Sequence, residues 1–118
     1  MKHFALLALA AGLVISCSGD ESGGPNPPPA PATASVTTPL VPPPVFIPSS
    51  VTIRAGGTVT FKNADGSPAA HNVRSLSDAW PLTTLQAGES FDVTLATAGQ
   101  YPFQCTIHPG MNGTIVVK

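Results

Sequence analysis

The stretch Cys105-Thr106-Ile107-His108-Pro109-Gly110-Met111 sets a thiol, an imidazole and a thioether within seven residues, close to the end of a 118-residue chain. Thiolate and thioether sulfur are soft donors and imidazole is intermediate, while the stretch holds no carboxylate of the kind a hard cation prefers. The pattern therefore points to copper or zinc. Structural zinc sites usually draw four ligands from paired CxxC or HxxxH elements, and neither pair occurs here. One thiolate, two imidazoles and a weakly donating thioether instead suit a type 1, or blue, copper centre. The loop supplies only one of the imidazoles. Of the three histidines, His3 lies in a leader expected to be removed, which leaves His71 as the second.

His71 stands thirty-four residues before Cys105 (105 minus 71), so only a folded sheet can bring the two together. The chain has the pattern for one. Val51 and Ile53 alternate with Thr52 and Arg54, and Ala55-Gly56-Gly57 makes a turn. Val59 and Phe61 then alternate with Thr58, Thr60 and Lys62. Phe91, Val93 and Leu95 alternate with Ser90, Asp92 and Thr94, and Ile115 and Val117 with Thr114 and Lys118. Short alternating strands separated by Gly and Pro predict an all-β, antiparallel sandwich with one dry interior. No helical period occurs, and Leu76 to Leu85, with Trp80 and Pro81 inside it, is expected to be irregular or a single turn. The two-residue period places Tyr101, Phe103 and Cys105 on one face of their strand, and likewise His71 with Val73 on one face of theirs, so sulfur and one imidazole aim at the same apolar interior. A Gly66-Ser67-Pro68 turn precedes the His71 strand. Taken singly, a buried Cys is usually a small hydrophobe, and an isolated His or Met packs or solvates. The metal reading rests on their combination and spacing.

The segments Phe46-Ile47-Pro48, Ala55-Gly56-Gly57-Thr58-Val59-Thr60-Phe61, His71-Asn72-Val73, Ala87-Gly88-Glu89-Ser90-Phe91, Gly99-Gln100-Tyr101-Pro102-Phe103-Gln104-Cys105 and Gly113-Thr114-Ile115-Val116-Val117 resemble the plastocyanin family of cupredoxins. The resemblance runs from about Val45 to Lys118, and the loop spacing is most similar to amicyanin and pseudoazurin. It implies a small Greek-key β-sandwich holding one copper that cycles between Cu(I) and Cu(II), with His71, Cys105, His108 and Met111 as ligands. It also implies that Asn72 clamps the His71 strand to the Cys105 loop, and that electrons leave through His108 inside an apolar patch of Pro68, Ala69, Pro109 and Gly110. Pro109 fixes φ beside a ligand and Gly110 permits the tight bend that a short loop needs. One thiolate and two neutral imidazoles leave Cu(II) with a net positive charge and Cu(I) with none, so a dry pocket favours the reduced ion.

Upstream of the domain the sequence changes character. Lys2 followed by the apolar run Phe4 to Ile15 reads as an export signal over residues 1–16, too short for the roughly twenty apolar residues that span a bilayer. Val14-Ile15-Ser16-Cys17 resembles a bacterial lipoprotein processing site, which would make Cys17 the lipidated first residue of the mature protein. The alternative is an ordinary signal cleaved further on, with Cys17 incidental. Residues 17–34 hold too little apolar bulk to fold and read as a Pro-rich tether reaching up to roughly 50 Å. Nine of the 14 prolines crowd between Pro25 and Pro44, which leaves residues 35–118 for a single packed domain. Within 35–118, Ser35 to Val41 is ambiguous, because Pro39 suits only a sheet edge; the family resemblance argues for a first edge strand there.

Lys and Arg number 5 against 6 Asp and Glu, so neither a basic surface for nucleic acid nor an acidic tail is present. The expected function is a mobile electron carrier, not an enzyme, anchored by lipid to the periplasmic or cell-surface face of a bacterial membrane. Its partners would be redox proteins such as a cytochrome or an oxidoreductase. A copper module for homeostasis or delivery would use the same residues but exchange the ion. A multicopper oxidase would need many more imidazoles than two, and a metal-free adhesive sandwich would have no use for Cys105.

Overall fold

The structure, a computed structural model, describes residues 24–38, 43–66 and 69–118. The export segment, Cys17, Pro39 and Val41 of the expected first strand, and Ser67 and Pro68 of the turn before His71 lie outside the described residues.

Among the described residues, eight strands form two facing sheets: β1 (Thr33–Thr38), β2 (Ser50–Ile53), β3 (Gly57–Asn63), β4 (His71–Ser75), β5 (Thr83–Leu85), β6 (Ser90–Leu95), β7 (Gly99–Gln104) and β8 (Asn112–Val117). One sheet has the order β1-β3-β6 and the other β2-β8-β7-β4-β5. The described residues contain no helix. The strands follow the alternation in the sequence: Val51, Ile53, Val59, Phe61, Val93, Leu95, Ile115 and Val117 all turn into the space between the sheets and are buried. Their polar neighbours face outward, where Thr60 donates to Asp92 across the ladder at 2.6 Å.

The structure departs from the sequence expectation at three points. Antiparallel pairing is not universal: β1 runs parallel to β3 and β2 parallel to β8, while the other ladders are antiparallel. Alternation reports which face of a strand is dry and says nothing about the direction of its neighbour. The stretch Leu76 to Leu85 is not wholly irregular, because Thr83-Thr84-Leu85 adds to β4 as the sheet edge and Leu85 pairs with His71. Three residues are too few to register a period. Finally, β1 opens at Thr33, inside the stretch assigned to the tether. Its approach is fixed earlier still, by the Arg54 amide donating to Pro31 O and the Thr58 amide to Ala32 O. As expected from the family resemblance, β1 is an edge strand.

Aromatic rings fill the centre. Phe61 packs edge-on to Phe103 with centroids 5.0 Å apart and stacks on Phe91 at 5.3 Å, and Phe46 meets Phe103 at 4.9 Å. Offset and edge-on pairs of this kind add about 0.5–1.5 kcal/mol beyond the area they bury. Phe103 sits opposite Gly113 in the β7–β8 ladder, and its ring occupies the space a side chain at 113 would fill. A Cβ there would strike the ring and lie 2.7 Å from the Ser49 carbonyl.

The parallel pairing of β1 with β3 also orients the domain. β1 ends at Thr38, whose hydroxyl donates to Asn63 Oδ1 at the end of β3, and Asn63 Nδ2 donates to Ala69 O and Leu85 O beside His71. Thr33, where the chain enters the strand, therefore lies at the opposite pole, about 17 Å from Thr38 at ~3.3 Å per residue.

Gly113→Ala is expected to destabilise the domain by about 1–3 kcal/mol, the usual cost of overpacking a closed core. Urea unfolding of the two proteins, followed by Trp80 fluorescence, measures the difference.

Candidate metal centre

His71 opens β4, Cys105 follows the last residue of β7, and His108 stands in the loop leading to β8. One ligand-capable atom from each lies within 4.8 Å of the other two. The sheet makes this possible because β4 pairs with the end of β7 through Arg74 opposite Gln104, which leaves His71 beyond that end, over the residues that follow. Cys105 Sγ lies 3.8 Å from His108 Nδ1, and the His71 and His108 rings are 4.7 Å apart between centroids. His71 is 1% and Cys105 4% exposed, whereas His108 is half-buried.

The loop is closed by its own backbone. The Cys105 amide donates to Met111 O at 2.9 Å, the Met111 amide donates to His108 O at 3.2 Å, and Gly110 adopts φ +85° between them. A left-handed residue at that bend is least costly as glycine. Met111 is fully buried at the inner end of the loop, immediately before β8.

Asn72 joins the two halves of the site. Its Nδ2 donates to Thr106 Oγ1 at 2.6 Å, its Oδ1 accepts from the Thr106 amide at 2.7 Å, and its own amide points at Cys105 Sγ from 3.5 Å. These bonds hold the cysteine loop against β4, and the amide contact draws electron density from the sulfur. Outer contacts of this kind orient ligands and tune the metal they hold.

The donor set fits a soft or intermediate metal, and one further feature favours occupation by a cation. His71 Nδ1 is buried without a hydrogen-bond partner. A buried nitrogen lone pair left unmatched is costly, and a metal ion satisfies it. Cys105 is a free thiol. Cys17, the residue expected to carry lipid, is outside the described residues.

Sequence reasoning did not single out two residues that the structure places here. Asp65 Oδ2 lies 3.5 Å from His71 Nε2, and Asn63, with no exposed surface, ties the segment that carries both. The only signal available in advance was an acidic residue just before the Gly66-Ser67-Pro68 turn that leads to His71.

Two sheets closing over a buried cysteine, with two imidazoles converging on it at one pole, define a small copper protein of the cupredoxin type. The profile of the copper binding proteins of the plastocyanin/azurin family matches residues 44–118, and the chain belongs to that family. It is 38% identical over 87 residues to plastocyanin A/B of Petroselinum crispum, an alignment covering 63% of this chain and 88% of the relative. In fold it is similar to a purple cupredoxin from Nitrosopumilus maritimus, with a TM-score of 0.60 at 24% identity, covering 72% of this chain and 99% of that one. It is also similar to an amicyanin variant in its reduced state, with a TM-score of 0.62 at 23% identity, covering 80% and 95%.

Replacing Asn72 by Ala removes both bonds to Thr106. Copper affinity is expected to fall by about 10- to 100-fold, the usual effect of losing an outer contact to a metal site. A chelator-competition titration reads the change, and amide NMR of the metal-free variant checks that the sheets persist.

Proposed function

We propose that the protein carries single electrons between redox partners at a bacterial membrane surface, with His71, Cys105, His108 and Met111 as the copper ligands. The observation that carries this reading is the preassembled donor set: two buried groups and one half-buried imidazole within 4.8 Å, held by Asn72 and by the loop's own backbone. When bound, copper supplies a reversible one-electron couple. The protein's part is to keep its donors still. Both the strand and the loop that bear them are hydrogen-bonded to each other, so the side chains have little freedom to rearrange when the charge in the pocket changes. Burial of Cys105 and Met111 keeps water from the sulfur donors.

His108 is the exit. It is the least buried of the three clustered donors, and exposed Ile107 and Pro109 flank it in sequence, with Ile107 46% exposed. An apolar rim around an accessible imidazole suits brief docking of another redox protein, such as a cytochrome or an oxidoreductase. Encounters of that kind bury less than about 1,200 Å². Among the described residues the donors form one cluster of one thiol and two imidazoles, which suits a one-electron carrier. They also favour a carrier over a delivery module, because a clamped, buried site releases an ion slowly.

The membrane setting rests on Val14-Ile15-Ser16-Cys17 and on topology. Acyl chains on Cys17 would anchor the chain, and the tether would enter the domain at Thr33, at the pole remote from His108. The metal pole then faces away from the anchoring surface.

Cu(II) loading of the soluble domain is expected to produce an intense visible thiolate-to-copper band, bleached by ascorbate and restored by ferricyanide over repeated cycles. Cys105→Ser should abolish the band, whereas Met111→Leu should retain it and raise the reduction potential. A colourless loaded protein, or a band that survives Cys105→Ser, contradicts the ligand assignment. In a bacterial host, Cys17→Ala is expected to shift the full chain from the membrane fraction to the soluble one, read by immunoblot with the mass of the mature N-terminus.

A further inference from the structure

His71 has two ring nitrogens in different surroundings. Nδ1 is buried and has no hydrogen-bond partner, while Nε2 lies 3.5 Å from the Asp65 carboxylate, whose side chain is 12% exposed. A neutral imidazole carries one proton, and the hydrogen bond made by one nitrogen decides which of the two is free to bind a metal. A carboxylate facing Nε2 holds the proton there and leaves the Nδ1 lone pair available.

Asp65 is not placed there by a loose loop. Its amide donates to Asn63 Oδ1 at 3.0 Å, and the same oxygen accepts from the Thr38 hydroxyl at 3.0 Å. Asn63 Nδ2 donates to Ala69 O and to Leu85 O, each at 3.0 Å. Leu85 is the residue paired with His71. One buried asparagine thus ties the end of β1, the start of the segment bearing Asp65, its return at Ala69 and the strand alongside His71. The carboxylate is fixed relative to the ring by the same bonds that fix the ring's strand.

We propose that Asp65 is a positioning residue for the copper site: it orients His71 through Nε2, sets the tautomer that frees Nδ1, and biases the bound metal toward Cu(II). The inference rests on the ligand assignment proposed above. A formal negative charge behind one ligand makes that ligand more basic and favours the more positive oxidation state. It opposes the preference of a dry, water-poor pocket for Cu(I). The potential of this site is then the outcome of two opposed terms, one of which a single side chain controls.

Asp65→Asn keeps the shape and an acceptor oxygen and removes the charge. Cu(II) affinity is expected to fall by about 10- to 100-fold, Cu(I) affinity to change less, and the reduction potential to rise. Each tenfold difference between the two affinity changes corresponds to about 59 mV for a one-electron couple. The visible band should persist. Unchanged affinity and potential overturn the role of Asp65, and so does an equal loss of Cu(I) and Cu(II) affinity at unchanged potential, which would mark a purely structural part. Nitrogen NMR of the metal-free parent tests the tautomer without any variant: the His71 proton is expected on Nε2, and a proton on Nδ1 overturns the proposal. If the parent itself lacks the visible band, the ligand assignment has failed; a coloured parent with an unaffected Asp65→Asn variant counts against Asp65 alone.

Discussion

Two hydrogen bonds between Asn72 and Thr106 close a separation of thirty-four residues, and the metal pole depends on them. On one side is a strand whose first residue is an imidazole; on the other is a loop whose first residue is a thiol. Pairing of β4 with the end of β7 brings the two elements together, and the Asn72 amide fixes the loop against the strand. Buried and matched on both its oxygen and its nitrogen, that amide is worth more than a surface contact, because disrupting it strands polar groups in a dry environment. The Cys105 amide bonded to Met111 O then sets the loop's other end, and the donors are left with few alternatives.

Beneath the pole, the sandwich provides the stiffness that such a clamp needs. Phe61, Phe103 and Phe46 interlock between the sheets, and Gly113 yields its side-chain space to the Phe103 ring. β7 therefore carries a locked aromatic two residues before the thiol, and a displacement of Cys105 would have to be matched in the core. The second buried asparagine, Asn63, does for the Asp65 segment what Asn72 does for the cysteine loop. Both are polar residues at the ends of apolar strands, and each spends all of its side-chain bonding on backbone or side chains from other elements.

Much of this was legible in the sequence, for identifiable reasons. Alternation at Val51, Ile53, Val59, Phe61, Val93 and Leu95 marks which side of each strand is dry, because a one-residue slip would expose the whole set. The brevity of Cys105 to Met111, with Pro109 and Gly110 inside it, marks a tight loop of soft donors. What alternation does not encode is partnership, so the parallel pairings of β1 and β2 were not visible, and Thr83-Thr84-Leu85 was too short to read as a strand. The start of β1 was hidden by the prolines before it. Asp65 and Asn63 were not legible for a different reason. Each acts through a loop conformation, and Asn63 and Asp65, just before Gly66, read equally well as ordinary turn chemistry.

Crystal structures of the domain without metal, with Cu(I) and with Cu(II) test whether the donors stand in place before the metal arrives and stay there when its charge changes. His71, Cys105, His108 and the Asn72–Thr106 bonds are expected to superimpose in all three, with the metal bound between the two imidazoles and the sulfur. A metal bound elsewhere, or a ligand side chain that swings away in one oxidation state, would contradict that expectation.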